Sequence, residues 1–289
     1  MHMIPFYIFA WVASIGYALE VVVIKLVNKH LSANLWVFNF LWNFLVLILI
    51  FPFAIANHAT VPEHWFNLAM AAMLYAVAGI TYVINLSRLD VSVFAPLFNF
   101  RTAFAVILAA IFLHERLSLE HLFLITVIFL GGFFVSYEEN FSFKSFFNKN
   151  IFYTLLMMVV IALEAIFTNK SVNELGFWTA SLWIALIAQT LLLLTWQKFG
   201  KDFKKIGSKE FGATLLGAAT GVIGVLASNK AFSENVGISA AIISLPISMI
   251  IAFLFSVFAP QLLEKHTFKV YLVRFSAAAI MIIAALRLN

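Results

Sequence analysis

The sequence predicts an all-α integral membrane protein in which ten transmembrane helices form two inverted five-helix repeats. Three observations carry this expectation. The 289-residue chain is 64% apolar and only 11% charged, whereas a soluble domain is about 45–50% apolar and about 25% charged. Its apolar residues fall into ten closely spaced runs, each near the roughly 20 residues that a spanning helix needs. The chain also repeats itself. Lys25-Leu-Val-Asn28 returns as Lys170-Ser-Val-Asn173, 145 positions later, and Asn85 and Asn229 each end an apolar run, 144 positions apart. Leu113-His-Glu-Arg-Leu-Ser-Leu119 returns as Leu262-Leu-Glu-Lys-His-Thr-Phe268, with Glu115 matching Glu264 and Ser118 matching Thr267.

The spans follow in order. Span 1 covers roughly 4–26. No Lys or Arg precedes it and no small-residue cleavage site stands out, so it is expected to stay as a helix rather than be removed as a signal peptide. Spans 2 and 3 cover roughly 34–55 and 66–86, span 4 roughly 91–113 and span 5 roughly 119–137. The connections at 86–90 and 114–118 are so short that the helices they join must be antiparallel neighbours. A polar stretch follows, dividing the chain into a first repeat at 1–140, a linker at 141–150 and a second repeat at 151–289. Spans 6 to 10 cover roughly 151–169, 177–196, 211–229, 237–259 and 270–286. Five spans per repeat is an odd number, so the copies sit upside down relative to each other, a transporter signature.

Local patterns fill in the outline. Ser118 and Thr267 stand where the next helix begins and can cap its open N–H groups. The Glu-Arg and Glu-Lys pairs before them read as surface charges at the turn. Ala213, Gly217 and Gly221 recur at four-residue spacing in span 8, which predicts a close helix crossing. The segments 141–149 and 198–209 mix aromatic residues with lysines. The second places Phe199, Phe203 and Ile206 on one helical face, as in a helix lying on a lipid surface. Loops after odd-numbered spans hold twelve Lys or Arg residues, against Arg116, Lys170, Lys230 and the terminal Arg287 for the other side. The excess of positive charge on the cytoplasmic side then puts both termini outside.

Composition excludes several function classes. The net charge of +5 comes from loop lysines between apolar runs, which fix orientation in a membrane and do not mark a nucleic-acid surface. The chain has no cysteine, so disulfides and thiolate chemistry are absent. Its seven histidines lie at span ends or in loops, none in a His-Glu-x-x-His arrangement, and there is no glycine-rich phosphate loop. No catalytic residue, metal site or cofactor is expected, and ATP-driven pumping by this chain alone is not.

The segment from Ser92 to Leu119, with its small-residue helix running into His114-Glu-Arg-Leu-Ser118, resembles the fourth helix and following turn of EamA-type transporters of the drug/metabolite superfamily. The stretch from Ser239 through Pro246 to Glu264-Lys-His-Thr267 resembles the same element again. The resemblance covers the whole ten-span layout. It implies a transporter of small metabolites with no enzymatic activity, and cytoplasmic termini, against the charge count. This chain departs from the family pattern where Arg101 stands near a place often held by Pro, and where Asn39 and Asn43 occupy a helix that often begins with Arg.

Charged side chains near the bilayer centre cost about 2.5–3.5 kcal/mol on insertion scales, so those retained there have a partner, a water-filled cavity or a task. Arg101 lies near the centre of span 4, and Glu20 and Glu164 about two thirds along spans 1 and 6. Arg101 can hold an anionic group of a substrate. A glutamate can hold an ammonium group or carry a proton, since desolvation disfavours a carboxylate's charge. Tyr17, Tyr75, Asn99, Trp183 and Ser244 complete the candidate substrate-binding set, with Asn43, Gln189 and Ser248 as further lining groups. Asn99 and Arg101 are two apart and cannot both face one cavity squarely. The expected protein is a multi-pass secondary transporter of the cytoplasmic (inner) membrane. It works by alternating access on a small amino-acid-like or otherwise charged or zwitterionic metabolite, as an exporter with coupled protons. Its partners are that substrate and membrane lipids, with no nucleic acid, and it acts as a monomer or homodimer. The alternatives are a flippase for a lipid-linked intermediate and a non-transporting membrane scaffold.

Overall fold

In the computed structural model, the residues described are 5–28, 34–86, 97, 99–135, 149–258 and 268–288. They are mostly helical, with no strand among them. The helices are α1 (Phe6–Asn28), α2 (Leu35–Ala56), α3 (Phe66–Leu86), α4 (Phe100–Phe112), α5 (Leu119–Val135), α6 (Lys149–Leu175), α7 (Phe177–Leu192), α8 (Gly200–Phe203), α9 (Ser208–Phe232), α10 (Val236–Ile243), α11 (Ile247–Phe258) and α12 (Phe268–Leu286). A 3-10 segment, Leu193–Lys198, extends α7. Seven helices among the described residues are long and apolar enough to cross a membrane: α1, α2, α3, α6, α7 with its extension, α9 and α12. Residues 141–148 of the linker and the Glu264-Lys-His-Thr267 turn lie outside the described residues.

The helices wear their large apolar side chains outside. Ile8, Val12 and Ile15 form an exposed stripe on α1, and Phe44, Ile48, Phe51 and Ile55 form one on α2. In water such stripes would drive aggregation; in lipid they are the solvated face. Between helices the residues are small. Ala10 and Ala13 of α1, Ala105 and Ala109 of α4, Ala162 and Ala165 of α6, and Ala240 and Ala241 of α10 all belong to one buried cluster. Hydrophobicity cannot drive association within lipid, so helices gain from close backbone approach instead.

The closest approach is between α1 and α9. A Cβ at Gly16 would lie 2.7 Å from the backbone nitrogen of Gly224, and one at Gly224 would lie 2.7 Å from the Tyr17 ring. Of the small residues spaced along span 8, Gly221 rests against Glu20 of α1 and Trp42 of α2, while the backbone contact with Gly16 is made by Gly224 and Thr220, outside that spacing. The major packing pairs are α1 with α9, α6 with α3, α3 with α7, α9 with α2, α4 with α6, and α1 with α10 and α11. The pairs α2 with α7, α4 with α10, and α5 with α12 complete the set.

Three local expectations are refined. Span 9 is not continuous: α10 ends at Ser244, and α11 starts after Pro246, whose ring and missing N–H break the helix there. The aromatic face of 199–206 does not lie on lipid. Phe199 is only 1% exposed and packs against Phe40 of α2, ring centroids 4.7 Å apart, with Phe203 and Ile206 against the same cluster. A neighbouring helix covers that aromatic surface, and Asn34 ties the segment down by donating to Asp202 at 3.0 Å. Ser118 does cap α5, accepting from the His121 amide at 3.1 Å. Glu115, however, is no surface charge. Its carboxylate is half-buried and accepts from the backbone N–H groups of Val236 (2.6 Å) and Gly237 (3.0 Å), at the start of α10.

Candidate substrate-binding site

Polar side chains inside a helix bundle must find partners or line a cavity. Here five helices direct polar groups at one internal cavity of about 20 Å³, lined by Asn43 of α2, Tyr75 of α3, Glu164 of α6, Ser181 of α7 and Asn229 of α9. That volume holds about one water molecule. Asn229 donates to the Ser181 hydroxyl at 3.1 Å, and Asn43 donates back along its own helix to the Asn39 carbonyl at 2.7 Å. Glu164 accepts from the Thr168 hydroxyl at 2.9 Å, one turn on.

Arg101, half-buried on α4, acts electrostatically on both Glu164 and Tyr17. It makes no salt bridge or hydrogen bond among the described residues; the salt bridges found there join Lys205 to Asp202 and Lys230 to Glu234. A guanidinium near a carboxylate but not clamped to it still has its five donors to offer a ligand.

A second group gathers on the α1–α9 crossing. The Tyr17 hydroxyl pairs with Ser228 at 3.0 Å. Glu20 lies against Gly221 together with Trp42: a Cβ there would stand 3.0 Å from Glu20 Oε2 and 2.7 Å from the Trp42 ring. Glu20 has no hydrogen-bond or ion-pair partner among the described residues, and the buried Trp42 indole N–H has none either. On α7 both polar atoms of the buried Gln189 are likewise without a hydrogen bond among the described residues.

The remaining candidates lie apart from this cavity. Asn99 is turned to α5, where its amide fills the space a Cβ on Gly132 would need. Trp183 donates to the Thr60 carbonyl at 2.9 Å and sets its ring edge-on to Trp65. Ser244 sits at the α10–α11 break and donates to the Ala241 carbonyl at 2.8 Å. Trp183 also lines a larger groove of about 410 Å³ between α2 and α7, whose other walls include Leu47, Ile48, Phe51, Leu182 and Leu186. Ser181, Ser228 and Thr168 escaped the sequence reading. Each is a single hydroxyl in an apolar run, and nothing in the sequence says which face of its helix turns inward.

Residues 4–137 match the EamA-like transporter family. No curated protein matches the chain. One solved structure, titled "Crystal structure of protein", aligns over 98% of this chain and 98% of its own with a TM-score of 0.74 at 12% identity, a likeness of fold. A multi-pass helical architecture and a matched N-terminal segment together make this chain similar to EamA-like transporters, a family that moves small solutes across membranes.

Proposed function

We propose that this chain is a secondary transporter of the plasma membrane that exports a small amino-acid-like or otherwise zwitterionic metabolite by alternating access. Two inverted repeats, residues 1–140 and 151–289 joined by 141–150, rock against each other around the cavity. Arg101 holds the substrate's anionic group, Glu164 its ammonium group, and one of Glu20 and Glu164 carries a coupled proton.

The observation that carries this reading is the convergence of Asn43, Tyr75, Glu164, Ser181 and Asn229 on one internal cavity within reach of the Arg101 charge. A cavity of about one water is too small for a zwitterion, so substrate-sized space would have to open here in another state of the cycle. The packing pairs give further support. Exchanging each helix with the one five spans later turns α1–α9 into α6–α3 and α3–α7 into α9–α2, and leaves α2–α7, α4–α10 and α5–α12 as they are. An inverted repeat generates such a list. A lipid flippase would need the polar cluster to reach a sideways opening. The groove between α2 and α7 faces that way, yet its lining is apolar apart from Thr60 and Trp183.

The test is a proteoliposome screen of amino acids and related zwitterions under an imposed pH gradient, run with Arg101→Ala alongside. Gradient-dependent flux that falls at least about tenfold in the variant, the factor carried by 1.4 kcal/mol, supports the site. Equal flux removes Arg101 from it.

A further inference from the structure

The start of α10 is held from outside its own segment. A helix leaves its first N–H groups without partners inside the helix. At α10 two side chains take them. Asn235, the residue before the helix, accepts from the Ile238 amide at 2.7 Å. Glu115, 121 positions earlier in the chain, spends both carboxylate oxygens on Val236 and Gly237. A carboxylate there also meets the positive end of the helix dipole. The fit is close: a Cβ on Gly237 would stand 3.3 Å from Glu115 Oε2 and 3.4 Å from Leu117. Burial pushes the Glu115 carboxyl above its ordinary range, while the two backbone N–H groups pull it back.

What this contact joins matters more than the bonds themselves. Glu115 stands in the turn between α4 and α5, and Val236 follows the turn after α9. The two turns lie on one side of the bundle, since an even number of crossings separates them. α10 packs on α1 and α4 and is cut off from α11 at Ser244–Pro246, so it is a short rod with a hinge at its inner end.

We infer that Glu115 is a latch: it pins the outer end of α10 to the α4–α5 turn and so closes one face of the protein, and its release lets α10 swing on the break at Pro246. The inference rests on the alternating-access reading for its place in a cycle, but the latch itself can be tested without a substrate.

The chain has no cysteine, so one introduced thiol gives a clean reporter. Ser239→Cys places it on α10 at a fully buried position. Ala188→Cys places a control on α7, at a site 1% exposed towards the other end of the bundle. Each is made with native Glu115 and with Glu115→Gln, which swaps one accepting oxygen for an NH₂ that faces a donor. The purified proteins are reacted in detergent with a water-soluble maleimide. With Glu115→Gln, labelling at 239 is expected to rise on the order of tenfold, the difference between charged and neutral hydrogen bonds, while 188 stays slow. Unchanged labelling at 239 overturns the latch. Fast labelling at both sites also overturns it, because Glu115 would then hold the whole fold rather than one face. A failed flux screen bears on the central site and leaves this result standing.

Discussion

Glu20 and Glu164 lie 144 positions apart, at matching places on α1 and α6, yet their surroundings differ. Glu164 lines the cavity, takes a hydrogen bond from Thr168 and feels the charge of Arg101. Glu20 rests on Gly221 and the Trp42 ring with neither a hydrogen bond nor an ion pair among the described residues. The same residue type on two helices therefore has two environments. Arg101 is one source of the difference: it acts on Glu164, whereas no cation acts on Glu20 among the described residues.

The largest effect that could break this comparison is on flux. With a proton gradient imposed, at least one of Glu20→Gln and Glu164→Gln should lower transport by about tenfold or more. Full transport by both variants would end carboxylate coupling. Their stabilities should diverge too. Glu164→Gln keeps an acceptor for Thr168 but leaves Arg101 without its opposing charge, at a cost of about 1–3 kcal/mol. Glu20→Gln removes a charge that has no partner and should leave the thermal midpoint unchanged or higher. Equal losses would mean that the two sites are alike after all.

The glycines beside each site offer a steric version of the same contrast. Gly221→Ala should cost about 1–3 kcal/mol in thermal unfolding, because its methyl meets Trp42 and Glu20 at once. Gly79→Ala on α3 meets the Asn39 amide, which can rotate away, and should cost less than about 1 kcal/mol. If Gly221→Ala is the milder of the two, the packing described around Glu20 is wrong. Thr168→Val is comparable to the milder of these. It removes one hydrogen bond to Glu164, worth about 1 kcal/mol, and a variant as stable as the native protein would mean that the bond contributes nothing.

The smallest effect lies outside the membrane. Asn34, and then Lys205, hold the Asp202 carboxyl below its ordinary value of 3.8. A lowered value in the fold means that the ionised form is the one favoured there. Its contribution is present above 3.8 and fades as pH falls through the lower folded value. Asp202→Asn should therefore flatten the acid limb of a stability profile slightly, and an identical limb would sever the Asn34–Asp202 link.

Much of the architecture was legible because lipid imposes a coarse rule. Runs such as Leu35–Ala56 and Phe66–Leu86 are apolar enough to be marked by length alone. The cap at Ser118 was legible because it acts over three residues. Contacts across the bundle were not. Glu115 looks like a turn charge until α10 arrives beside it, and Phe199 looks membrane-bound until Phe40 covers it. Of the candidate site, Glu164, Tyr75 and Asn43 meet at the cavity, and Arg101 acts on it from α4. Asn99, Trp183 and Ser244 are turned to local partners, because an isolated polar residue in an apolar run does not reveal its azimuth.

The meeting of Gly16 with Gly224 has a mechanical consequence. The backbones of Gly16 and Gly224 touch there, with the Tyr17 ring packed beside Gly224. Most packed helices are geared: to tilt, their interlocked side chains must jump from one notch to the next. A glycine contact has no teeth. A change of angle about that point would keep the two backbones in contact and carry the Tyr17 ring and its bond to Ser228 along, and a methyl group added to either glycine would block it.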